Sequence, residues 1–219
     1  MTTFPNSPRL LKGGIVLIDP ETSAVLRIVV LQYNPDTLTR RLAPQATGAE
    51  PSADRTEALR IKAPPVETIS LEAEIDATDQ LEFPDRNPTA VQLGIHPQLA
   101  ALETIVYPAS ATLIENNRLA QSGTLEILPV EAPLSLFVWS KTRVLPVRLT
   151  EFSITEEAFD PTLNPIRAKV SLSMRVLSVN DLGFSHKGGS LYMAYQQQKE
   201  QLAAKAGGAF GALGIGGIP

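Results

Sequence analysis

The chain has 219 residues, 43% of them hydrophobic and 19% charged, with 19 basic and 23 acidic side chains for a formal charge of −4. That length buries a sizeable core, and the acidic balance argues against non-specific nucleic-acid or polybasic membrane binding. The absence of cysteine excludes disulfides, zinc–thiolate sites, iron–sulfur clusters and thiol catalysis, and two histidines exclude a multi-histidine metal site within one chain.

The first apolar runs are Ile15 to Ile18 and Ala24 to Tyr33, separated by Asp19-Pro20-Glu21-Thr22-Ser23. Asp, Pro and Ser supply turn chemistry, so the spacing predicts a hairpin. The second run is nearly continuous, which predicts a strand buried on both faces or packed against another subunit. It is interrupted by Arg27 and falls far short of the roughly 18 apolar residues of a membrane span. The N-terminus carries Pro5 and Pro8 and no apolar core of a secretory signal, so the expectation is a protein made and assembled in the cytoplasm.

Residues 43–64 have little periodicity and few bulky side chains, and read as a long loop, either functional or plainly flexible. Ile69, Leu71, Ala73 and Ile75 then alternate with polar residues, the period of a strand with one wet and one dry face. Asp79 to Pro88 reads as a loop rich in carboxylates. A helix is expected over 97–106, with Pro97 in its first turn and Pro108 ending it, and a further helical turn over 113–120.

Strands are expected over 124–128, 134–139 and 144–154, the last with a phase change at Thr150-Glu151 that implies a bulge. The clearest alternation is Ala168, Val170, Leu172, Met174 and Val176 against Arg167, Lys169, Ser171, Ser173 and Arg175. This strand spans roughly 30 Å. Arg167, Lys169 and Arg175 mark its polar face, either solvated or turned toward a channel or an acidic partner. Lys187-Gly188-Gly189-Ser190 reads as a hinge. A weakly amphipathic helix follows from Leu191, capped by Ser190, with Tyr195, Gln198 and Leu202 on its face. The last residues, 207–219, are rich in glycine yet apolar. Phe210, Leu213 and Ile215 there are candidates for docking on a partner.

Chemistry is sparse. No phosphate loop, nucleophile elbow or zinc-helix motif is present. The spacing of Asp76, Asp79, Glu82 and Asp85 is not that of a calcium loop. His96 and His186 read as surface or cap residues, and Trp139 as core or interface. The expectation is therefore a β-rich, non-catalytic, assembling protein without cofactor or metal.

Several segments resemble one family. Leu31-Gln32-Tyr33-Asn34-Pro35-Asp36-Thr37-Leu38 is similar to the F-x-Y-N-P-x-x-L segment of tube-like proteins of phage-tail-like contractile injection systems. The segments 65–71, Gly94-Ile95-His96-Pro97-Gln98-Leu99, 148–154 and Glu157-Ala158-Phe159-Asp160-Pro161-Thr162-Leu163-Asn164-Pro165 resemble it in the same order. The resemblance covers roughly residues 10–180. It implies a mainly β (α+β) domain over 1–185: a split β-barrel of two packed sheets with one flanking helix. Residues 186–219 would add a C-terminal helix and a Gly-rich tail. It further implies a tube-initiating baseplate component, six copies ringing a channel between the spike hub and the inner tube. Expected partners are the spike hub, the inner tube protein and other baseplate and sheath subunits, in a particle that stays in the cell or is released. The inner tube protomer is the alternative role; a β-sandwich hydrolase or carbohydrate-binding module is a more distant one. Many relatives carry a C-terminal LysM domain, for which the helix and tail here leave no room.

Overall fold

A computed structural model describes residues 10–46, 61–123 and 132–218. Seven strands form one antiparallel sheet: β1 (Gly14–Ile18), β2 (Val25–Val30), β3 (Leu38–Ala46), β4 (Ile61–Asp76), β5 (Leu134–Ser140), β6 (Arg143–Phe159) and β7 (Pro165–Val176). Their order is β2-β1-β5-β6-β7-β4-β3. The architecture is thus mainly β with a few helices. Where two packed sheets are expected, the described strands run as one continuous sheet.

The period-two segments behave as their pattern dictates. In β4, Ile69, Leu71, Ala73 and Ile75 are buried, and in β7 so are Ala168, Val170, Leu172, Met174 and Val176. These strands pair directly, Ile69 opposite Met174 and Leu71 opposite Leu172, so the two dry faces merge. β6 adds the bulge. Leu149 pairs with Met174 and Glu151 with Ser173, leaving Thr150 as the extra residue, its hydroxyl donating to the Ser173 carbonyl at 3.1 Å. The slip keeps Val147 and Leu149 before it, and Phe152 and Ile154 after it, against the apolar core.

The first hairpin forms as expected, β1 against β2 with a turn tied by Asp19, whose Oδ1 accepts from the amides of Glu21 and Thr22 at 3.0 and 2.7 Å. Its second strand differs from expectation. β2 is the sheet's outermost strand, and Val25, Leu26, Ile28 and Val30 are 55–61% exposed, so it is not buried on both faces within this chain. The expected loop 43–64 is also shorter, because β3 runs to Ala46 and β4 starts at Ile61. Alanine and glutamine there still pair across a ladder, Ala43 opposite Val66 and Gln45 opposite Ala63, with the register slipping at Pro44 between them. The rest of that segment and the strand expected at 124–128 lie outside the described residues.

Short helices join those expected over 97–106, over 113–120 and from Leu191. The stretch read as a loop from Asp79 holds α1 (Thr78–Leu81), a 3₁₀ turn (Pro84–Arg86) and the start of α2 (Pro88–Leu93). Prolines open the last two, where a missing N–H costs nothing. α3 (His96–Glu103) has Pro97 in its first turn and buries Leu99 and Leu102, and α4 (Ser110–Gln121) follows with no residue fully buried.

After β7 come α5 (Val179–Leu182) and α6 (Lys187–Ala203). α6 starts four residues before the expected Leu191, capped by His186, whose Nδ1 accepts from the Gly188 amide at 3.0 Å. The supposed hinge is therefore a packed helix turn. Gly188 and Gly189 are buried, and a Cβ at Gly189 would lie 1.9 Å from the Gly183 carbonyl oxygen. Only a glycine lets α6 approach α5 that closely. Tyr192 and Tyr195 then join the main core alongside Phe137, Leu145 and Val147.

Candidate functional site

The wet side of β7 carries the three candidate cations. Each has a carboxylate partner in its own chain. Arg167 Nε donates to Asp76 Oδ2 at 2.7 Å, Lys169 Nζ meets Glu157 Oε1 at 2.9 Å, and Arg175 Nη2 donates to Asp181 Oδ1 at 2.7 Å. Glu157 is the extra residue at a second slip of β6, and Asp181 closes a capping box with Ser178 at the start of α5. Burial pushes the Asp76 carboxyl up. Hydrogen bonds from the hydroxyl and amide of Thr78 and from Arg167 outweigh this and hold it below the usual carboxylate range. Donating to the carboxylates of Asp76 and Glu157 raises Arg167 and Lys169 in turn.

Between these pairs the face is hydroxyl-rich. Ser70 and Ser173 share a hydrogen bond of 3.1 Å, and Thr39, Ser171 and Glu151 line the shallow depression around them. Arg175 Nε is buried and makes no hydrogen bond. The β7 side of the sheet is thus polar and largely self-neutralised, in contrast to a bare basic stripe.

The opposite end of the sheet is apolar and open. β2 has a strand partner on one side only. Arg27 reaches from it to α3, donating to the Thr104 hydroxyl and to the Ala101 carbonyl at 3.4 Å. Next to these contacts lies a groove of about 280 Å³ lined by Ile28, Val30, Leu31, Ile75, Ala101 and Leu102. Gln98 also lines it, and its Oε1 is buried without a hydrogen-bond partner. A larger recess of about 800 Å³ lies between Leu26 and the 104–112 segment.

A third feature escaped the sequence reading. Glu67, 3% exposed, accepts from Arg40 Nε at 2.7 Å and lies 3.8 Å from Lys199 Nζ. Arg40 Nη2 also donates to the Tyr195 hydroxyl at 3.0 Å, and Lys199 sits 4.4 Å from the centre of the Tyr195 ring. Burial and the Glu67 charge push both Tyr192 and Tyr195 up, and burial pushes Lys199 down despite Glu67. This cluster fixes α6 across β3 and β4. Its signal was legible: Glu67 occupies the dry phase of the 67-69-71-73-75 alternation, where a carboxylate needs a partner.

The tail residues make no such contacts. Phe210–Leu213 form a 3₁₀ turn closed by Gly214 at φ +72°, and Phe210, Leu213 and Ile215 are all exposed.

The segments that carry the family resemblance do architectural work. Asn34 accepts from the Gly13 amide at 2.9 Å and donates to the Leu11 carbonyl at 2.7 Å. Gln32 binds the Asp76 backbone twice, accepting from its N–H at 3.0 Å and donating to its C=O at 2.6 Å. Asp160 Oδ1 accepts from the amides of Thr162 and Asn164 at 2.7 and 2.9 Å, which folds the β6–β7 turn with Leu163 at φ +68°. The side-chain amide of Asn164 leads the interactions that hold the Asp160 carboxyl down to about 2. Ile95 donates its amide to the Pro165 carbonyl at 2.9 Å, and a Cβ at Gly94 would sit 2.1 Å from that oxygen. Glycine at 94, with φ +57°, lets the α2–α3 corner seat on the start of β7.

Among the described residues no three His, Asp or Glu side chains converge as a metal site; Asp76 of the acidic run is engaged by Arg167. His96 lies exposed at the start of α3 and His186 caps α6. Trp139 stacks on Phe137 with ring centres 5.8 Å apart, at the border of the core. No helix of the described residues is long and apolar enough to cross a membrane. No protein-family model matches this sequence, and no curated protein matches it.

Proposed function

We propose that this chain is a structural component of the baseplate of a contractile injection system, forming a ring that joins the spike hub to the inner tube and templates tube assembly. The observation that carries the reading is β2: an outermost strand with four large aliphatic side chains more than half exposed. A strand of that kind is a liability in a monomer and an asset in an oligomer, where a neighbour pairs its free edge and covers its side chains. β3 is the other end of the sheet, so β2 of one copy against β3 of the next is a heterologous contact, the type that closes into rings.

The polar β6-β7-β4 face supports the same reading. Arranged in a six-fold ring as a split barrel, the chain would turn Arg167, Lys169 and Arg175, with their paired carboxylates, toward the channel. Hydroxyls and neutralised pairs bind passing polypeptide weakly, which suits a conduit. No catalytic step is assigned to any residue.

Electron microscopy of the purified full chain, with its mass in solution, tests the proposal. Discrete six-fold rings are expected, lost on Ile28→Asp. A protein that stays monomeric at every concentration, alone and with the hub and tube proteins, would overturn it. Long tubes would identify the inner tube protomer instead.

A further inference from the structure

The tail has an unusual chemistry for a surface segment. All residues from 201 to 218 are exposed, and none after Lys205 carries a charge. Within it, Phe210, Leu213 and Ile215 are gathered by a formed turn: Ile215 N–H donates to the Phe210 carbonyl at 3.3 Å, and Gly214 supplies the left-handed residue that closes it. A preformed apolar knob, with Phe210 and Ile215 about half exposed and Leu213 73% exposed, has already lost part of the ordering entropy that docking would otherwise cost.

The groove between β2, β4 and α3 has the complementary chemistry. Its walls are aliphatic, Glu74 is its one charged lining residue, and its volume of about 280 Å³ is near the lower limit for a binding pocket. It also holds Gln98 Oε1, buried and without a donor. An incoming backbone N–H, plentiful in a glycine-rich segment, satisfies such an acceptor, and an unpaired buried acceptor is otherwise costly. The groove adjoins the open edge of β2, where a second copy is expected.

We infer that the C-terminal turn of one copy docks in the β2–β4–α3 groove of a second copy, as a staple across the subunit boundary. The inference rests on the proposed function only in requiring that copies lie side by side. Phe210, where the turn begins, lies seven residues beyond Ala203, a reach of up to roughly 25 Å when that tether is extended, so the turn can move away from the end of its own α6.

Because the chain has no cysteine, introduced thiols report cleanly. Full-length Leu213→Cys protein is mixed with full-length Ala101→Cys protein and oxidised. A second mixture pairs Leu213→Cys with Lys62→Cys, exposed near the start of β4 and eleven residues along that strand from Ala73 of the groove. Docking in trans predicts roughly tenfold more covalent heterodimer in the first mixture, since docking raises the local thiol concentration. Equal yields in the two mixtures would overturn the inference. So would a chain carrying both Leu213→Cys and Ala101→Cys that oxidises only within itself. Rings counted by electron microscopy in the same samples keep the two readings apart. Rings without groove-specific cross-linking sink the staple and leave the ring. Cross-linking without rings retains the staple and removes the baseplate reading.

Discussion

β2 and β7 are both built largely from aliphatic residues, yet the chain treats them in opposite ways. β7 alternates, lies between β4 and β6, and sends five side chains into the core while pairing its cations on the other face. β2 is nearly continuous in hydrophobicity, lies at the edge, and leaves most of that hydrophobicity in water. Alternation is the pattern of a strand whose two surroundings both belong to the chain. A continuous run is the pattern of a strand with a surrounding that the chain itself does not provide. Period therefore reports where the core is, and its failure in β2 marks apolar surface that the described residues leave uncovered.

The sharpest way to break this comparison is to place the same charge in both strands. Val170→Asp puts an unpaired carboxylate in a fully buried site and should unfold the chain, a loss of about 4 kcal/mol or more. Ile28→Asp should leave the monomer's melting within about 0.5 kcal/mol of the parent and act only on assembly. Chemical denaturation of the two variants checks it; equal destabilisation would mean that β2 is covered within the chain.

The next effect concerns Glu67, the one carboxylate in the dry phase of β4. Glu67→Ala leaves Arg40 and Lys199 facing each other without a counter-charge, and should cost about 3 kcal/mol. Hydrogen exchange should speed up first in α6, around Tyr192 and Tyr195, before the β4–β7 ladder. Exchange rising equally throughout would show that the cluster supports the sheet and not the helix.

The smallest effect is confined to acid. The folded Asp160 carboxyl, at about 2, lies below its ordinary value, so its stabilisation is present above about pH 4 and is lost as pH falls through 2. Asp160→Asn should flatten that limb of the stability–pH curve and leave it unchanged near neutrality relative to its own plateau. A curve of unchanged shape between pH 4 and 2 would show that the β6–β7 turn does not depend on the ionised form.

Much of this fold was legible. The hairpin, the alternation of β4 and β7 and the bulge at Thr150 follow from local pattern, because burial on one face of a strand leaves a period-two record. What was not legible depends on contacts distant in sequence. The glycines at 188 and 189 look like a hinge until Gly183 is seen against them, and the run from Asp79 hides short helices started by proline. The candidate cations were visible, but not their partners: Arg167 lies 91 residues from Asp76. Glu67 was readable as an exception to its own pattern, and passed unread because Ser and Glu at neighbouring wet positions made one more carboxylate look ordinary.

Gln32 has a consequence for the shape of the sheet. Its side-chain amide takes the place of a strand partner at the end of β4, joining the segment after β2 to the far half of the sheet by two hydrogen bonds. The neighbouring boundaries are ladders many residues long, each rung worth about 1 kcal/mol. Here, among the described residues, two side-chain hydrogen bonds stand where a ladder would be. Along its open side the sheet is therefore held by side chains, the Gln32 amide and the burial of Leu31 in the same core as Ala73 and Ile75, where its other boundaries are held by backbone ladders.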